Sequence, residues 1–142
     1  KIGLSKSEIK DKFLIVDLLT WMHQKKADYT NTFCYLMNEA TQKDNIYKDN
    51  EFLNWKKRWE IRLKSEDRTP DQYLELMKNF NPFVIPRNHK VEEALKAAEK
   101  DELKPITKLI EILKNPYFNQ KNIVDYQIPS NSNENYQTFC GT

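Results

Sequence analysis

The chain has 142 residues, of which 39% are hydrophobic and 31% charged, with a net charge of +2 and a mean hydropathy of −0.84. That length is one ordinary domain able to bury a real core, and so small a charge makes no electrostatic case for nucleic acid. The longest purely apolar run, Phe13-Leu14-Ile15-Val16, falls far short of the ~20 residues of a membrane span. No signal peptide opens the chain and residue 1 is Lys, so the sequence reads as a piece of something longer.

Taken in order, the elements are helical. Ser5 and Glu8 have capping-box spacing ahead of a helix running to about Lys26. In it Ile9, Phe13 and Val16, and again Leu14, Leu18, Trp21 and Met22, recur at steps of three and four. A second helix is expected from Tyr29 or Thr30 to Ala40, then a polar connection over Thr41–Asn50. A third follows Asp49 or Asn50, with Phe52, Trp55, Trp59 and Leu63 on one stripe. Thr69-Pro70-Asp71-Gln72 joins a capping box to a first-turn proline and opens a fourth. Asn81-Pro82 ends it, because the residue before proline is driven off helical dihedrals. A rigid connector, Asn81 to Arg87, leads to a fifth helix capped by Asn88. A sixth runs from about Asp101 to Lys114, with Pro105 in its first turn and Asn115-Pro116 as its stop. The expected fold is all-α: a bundle of about six helices over residues 1–118, then an extended, partly disordered tail over 119–142 anchored by Ile123, Val124, Tyr126, Ile128 and Phe139.

Glycine usage excludes chemistry. The two glycines are Gly3 and Gly141, and none lies between. A phosphate-cradling loop needs glycine where the backbone nears the phosphates, so the interior holds neither a P-loop nor a G-x-G-x-x-G turn. His23, Cys34, His89 and Cys140 are too scattered for a zinc spacing. Cys34 sits among aromatics on an apolar helix and reads as an inert thiol. Lys56-Lys57-Arg58 is diluted by Glu51, Glu60 and Glu66 and reads as a solvated face.

Two features remain as candidate sites. Arg87, Asn88 and His89 follow Ile85-Pro86; they read either as a capped helix start in which Arg87 pairs a carboxylate, or as a docking or substrate-facing cluster. Cys140 is third from the end of the sequence, two residues from the Thr142 carboxylate, which disfavours a second negative charge. Its reactivity must come from wherever the tail docks. An exposed thiol without a role, or a bridge to Cys34, are the other readings.

Asn81-Pro82-Phe83-Val84-Ile85-Pro86-Arg87-Asn88-His89, with Val91 to Leu95, resembles the C-terminal region of selenoprotein O-like proteins. Ala27 to Phe33, Leu109 to Tyr117 and the terminal Tyr136-Gln137-Thr138-Phe139-Cys140-Gly141-Thr142 are similar as well, in the same order. The chain departs from the pattern at Cys34, where a basic residue is expected. The resemblance implies a pseudokinase-fold adenylyltransferase that moves AMP from ATP, with Mg or Mn, onto hydroxyl side chains of target proteins (AMPylation). It also implies that the nucleotide and metal residues lie upstream, so no catalytic residue carries over and this piece alone is inactive. Cys140 matches the family's terminal selenocysteine or cysteine, which implies redox work and a regulatory disulfide to the kinase-like part. The implied partners are that upstream domain and the protein substrates, not nucleic acid or membrane, in a bacterial cytoplasm. The alternative is a non-catalytic helical interaction module with a disordered tail.

Overall fold

A computed structural model describes residues 1–38 and 45–130. Cys140 and the terminal motif around it lie outside the described residues, as does Ala40. Among the described residues all regular structure is helical: α1 Asp11–Lys25, α2 Tyr29–Leu36, α3 Asn50–Lys64, α4 Pro70–Phe80, α5 Asn88–Ala98, α6 Lys104–Leu113 and a short α7 Val124–Gln127. A 3-10 turn at Asn45–Lys48 precedes α3.

The aromatic stripe of α3 builds the core. Phe52, Trp55, Trp59 and Leu63 are all buried. Phe52 packs against Trp21 of α1 with ring centroids 4.5 Å apart, and Trp55 stacks on Trp59 at 5.8 Å. Burying an indole leaves its N–H needing an acceptor. Trp55 Nε1 donates to the Leu14 carbonyl, Trp59 Nε1 to that of Ile2, and Trp21 Nε1 to the Asp49 carboxylate. With the Asp17–Arg58 pair, these bonds lay α1 antiparallel along α3. Asp49 also caps α3, accepting from the amides of Glu51 and Phe52. The 3-10 turn seats Tyr47 in the same cluster, stacked on Tyr35 at 4.0 Å; the polar stretch before α3 gave no sign of it.

The expected start of α1 is displaced. Ser5 makes no capping box with Glu8; its hydroxyl and amide donate to Glu66 instead, and the Glu8 amide donates to Asp11. A buried carboxylate with several donors outcompetes a local cap, so residues 1–10 run as a tethered segment and α1 begins at Asp11. Only one of its two apolar stripes is covered: Leu14, Leu18, Trp21 and Met22 are buried, while Ile9, Phe13 and Val16 are exposed.

Helix ends follow local chemistry elsewhere. Thr69 and Gln72 form the reciprocal capping box on α4, with Pro70 in the first turn. The α5 cap position is held by Arg87 rather than Asn88, without a side-chain cap bond, because Arg87 is engaged by α2. With no interior glycine, left-handed positions fall on Lys26, Asn38, Asp101 and Asn122. Three of these are Asn or Asp, which tolerate that region best among non-glycine residues. α2 ends at Leu36, four residues before the expected Ala40, with Asn38 left-handed just beyond it. Gly3, at φ +82°, is the glycine that the fold requires: a Cβ there would meet Met77 and Tyr73 at 3.3 Å. Within the expected tail, residues 119–130 include the short α7, and the expected anchor Ile123 is buried together with Gln127.

Candidate functional site

The connector between α4 and α5 is the hub of one face. Asn81 is buried; its amide donates to the Lys1 carbonyl at 2.7 Å. The Phe83 amide donates to the Pro116 carbonyl beyond α6 at 2.7 Å, and the Phe83 carbonyl accepts from Gln127 of α7 at 2.8 Å. Pro82 and Pro86 fix their own φ and restrict Asn81 and Ile85 before them, while Phe83 and Val84 fill the core. The Cys34 thiol is buried and points at the Pro82 carbonyl, 3.8 Å away. A basic side chain at position 34 would have to reach out of that environment.

Arg87 leaves this connector at the start of α5 and turns inward. Its guanidinium makes a two-pronged pair with Asp28, at 2.8 and 2.9 Å, and approaches the Asn31 amide oxygen at 3.5 Å. Its side chain is 8% exposed, and Nε, buried, has no hydrogen-bond partner. Asp28 meanwhile caps α2 by accepting from the Asn31 amide at 2.8 Å. Burial pushes the Asp28 carboxyl up, but the bonds from Arg87 and the backbone outweigh it and hold the group below the ordinary carboxylate range. Asn31 in turn donates to the Gln127 carbonyl at 3.1 Å. Of the three candidate residues, then, Arg87 is locked to α2, Asn88 is exposed and His89 is half-buried. His23 is exposed at the far end of α1.

A second charged cluster binds the N-terminal segment to α3. Arg62 pairs with Asp11 at 2.8 Å, Glu66 at 3.2 Å and Glu8 at 3.4 Å, and donates to the Lys6 carbonyl at 2.9 Å. Glu66 also accepts from the Ser5 hydroxyl at 2.6 Å and from the Ser5 and Lys6 amides. Burial would raise the Glu66 pKa; the Ser5 and Lys6 donors and Arg62 outweigh it and bring it down to about 2. Sequence spacing did not disclose this cluster. Glu66 reads there as a late-helix surface residue, and its Ser5 and Lys6 donors lie some sixty positions away.

Among the described residues no three His, Cys, Asp or Glu side chains gather to hold a metal ion. No helix among them is long and apolar enough to cross a membrane.

The family model for protein adenylyltransferase SelO matches residues 1–114. The protein nucleotidyltransferase YdiU of Pelagibacter ubique (strain HTCC1062) is 48% identical over 143 residues, covering 100% of this chain and 30% of that protein. The proteins of the same name from Bacillus cereus (strain G9842) and Clostridium perfringens (strain SM101 / Type A) are 44% and 43% identical over the whole chain, covering 30% and 29% of their length. The chain thus spans about 30% of the length of the curated relatives it matches. With the family model covering most of the sequence, the chain belongs to the protein adenylyltransferase SelO family.

Proposed function

We propose that this chain is the helical C-terminal part of a longer protein adenylyltransferase, which transfers AMP from ATP to hydroxyl side chains of target proteins. The family match over residues 1–114 carries the reading. The printed names of the relatives, protein nucleotidyltransferases, agree in reaction class.

The residues in hand do not fit a nucleotide or its metal. The interior between Gly3 and Gly141 has no glycine to cradle phosphates, and among the described residues no three His, Cys, Asp or Glu side chains gather to hold a metal ion. In this reading ATP and Mg or Mn are held by the kinase-like part of the longer polypeptide, in a bacterial cytoplasm. This part supplies a rigid body to pack against that domain. Asn88 and His89, beside the locked Arg87–Asp28 pair, are its outward residues for docking the upstream domain or a protein substrate. Cys140 works as a redox thiol whose disulfide partner lies upstream.

Titration calorimetry of the 142-residue chain with ATP and magnesium is expected to show no micromolar binding; micromolar affinity would contradict the assignment of the nucleotide site. Thiol labelling of the longer protein with and without reductant tests the tail. Reductant-dependent labelling of Cys140 supports the redox role, and equal labelling in both conditions removes it, leaving a helical interaction module.

A further inference from the structure

Between Phe13 and Met22 of α1 only Asp17 and Thr20 are polar. A helix apolar around most of its circumference is built to be covered on more than one side. Yet α3 and the core cover one stripe, while Phe13, Ile15, Val16 and Leu19 stand open, with Ile9 just ahead 92% exposed. Beside them on α3 stands Ile61, 69% exposed. Phe13, Leu14 and Ile61 line a groove of about 530 Å³ between the two helices, rimmed by Arg58 and Arg62. A continuous patch of this kind on a folded surface marks an interaction site.

We infer that the Phe13–Val16 face of α1, with Ile9 just ahead of it and Ile61 of α3, is the seam on which the remaining polypeptide of the longer protein sits. The inference rests on reading the chain as part of a longer adenylyltransferase, and it names the surface that joins the two parts. The occupant is argued from length and composition. The chain covers 30% of a relative that it matches end to end, so most of such a protein lies outside it. The terminal segment 131–142 offers only Tyr136 and Phe139 as large apolar residues, too few for the seam. The neighbouring outer face of α3, by contrast, carries Lys57 and Glu60, as a solvated helix does.

The test places single cysteines in the full-length protein, with Cys140→Ser: Ile9→Cys, Phe13→Cys and Ile61→Cys, and Lys100→Cys as an exposed reference. Labelling at each site is followed by peptide mass spectrometry, so other thiols do not interfere. Because attack requires reagent access, the three seam sites should label about tenfold or more slowly than position 100, whatever the protein concentration. Labelling at the reference rate overturns the proposal. So does protection lost on dilution, which means a second copy covers the face, or protection lost on deleting residues 131–142, which means the tail does. AMP transfer assayed on the parent full-length protein, with Cys140 intact, separates the two readings. Fast labelling with transfer intact removes the seam alone, whereas protected sites without transfer remove the adenylyltransferase reading and leave the seam.

Discussion

At the scale of single residues, Arg87 and Glu66 hold distant parts of the chain by charge-assisted bonds. Removing one partner of a buried pair strands the other, at a cost of roughly 3 kcal/mol. Arg87→Ala is therefore expected to lower the unfolding free energy by that amount, seen as a lower chemical-denaturation midpoint, and Arg87→Lys to recover only part, since lysine lacks the planar fork. An unchanged midpoint in Arg87→Ala would show that the Asp28 pair does not hold α2 to α5. Glu66 makes a prediction in pH. Its pKa falls from 4.5 to about 2 on folding, so it contributes on the order of 3 kcal/mol at neutral pH. Because the folded value is the lower one, that contribution is complete above pH 4.5 and is lost as pH falls towards 2. Glu66→Gln should be less stable than the parent at pH 7, and the gap should close across that window; a constant gap would contradict the linkage. Neither role was legible in the sequence, which pairs residues three or four apart but not Glu66 with Ser5 or Arg87 with Asp28.

At the scale of elements, the absence of interior glycine forces ordinary residues into strained closures. Lys26 follows α1 at φ 54°, and the Ala27 amide donates back to the Met22 carbonyl at 2.9 Å. A β-carbon in that region costs roughly 1–2 kcal/mol, and glycine's extra unfolded-state entropy offsets part of the relief. Lys26→Gly is expected to raise thermal stability by about 0.5–1 kcal/mol; a fall in Tm would show that the lysine side chain contributes more than its backbone strain costs. Helix existence and most ends were readable, because apolar stripes, the Thr69 capping box and the Pro82 and Pro116 stops are local. The α1 start was not readable: Ser5 has cap spacing, but a distant carboxylate takes its hydroxyl and amide.

At the scale of the whole molecule, the segment after α6 closes the fold. Ile123 is 1% exposed, and Gln127 reaches the Phe83 carbonyl. Ile123→Ala is expected to cost about 2–5 kcal/mol, as a large-to-small change in a filled core does, measured by denaturant unfolding. A loss below about 1 kcal/mol, the scale of an exposed-site change, would return residues 119–130 to the status of a tail. The hub around Asn81–Arg87 joins residue 1, α2, α5, the turn after α6 and α7, so the motif that carries the family likeness is also the point where the separate helices meet.

The sequence by itself determined the all-helical class, the aromatic stripe of α3, the absence of a phosphate loop and the family, because these rest on composition, short-range periodicity and local motifs. The tertiary structure alone decided that Arg87 faces Asp28, that Glu66 ties down the N-terminal segment, and which stripe of α1 is covered. Those outcomes depend on which distant groups arrive within hydrogen-bonding or van der Waals reach, and spacing along the chain carries no record of that.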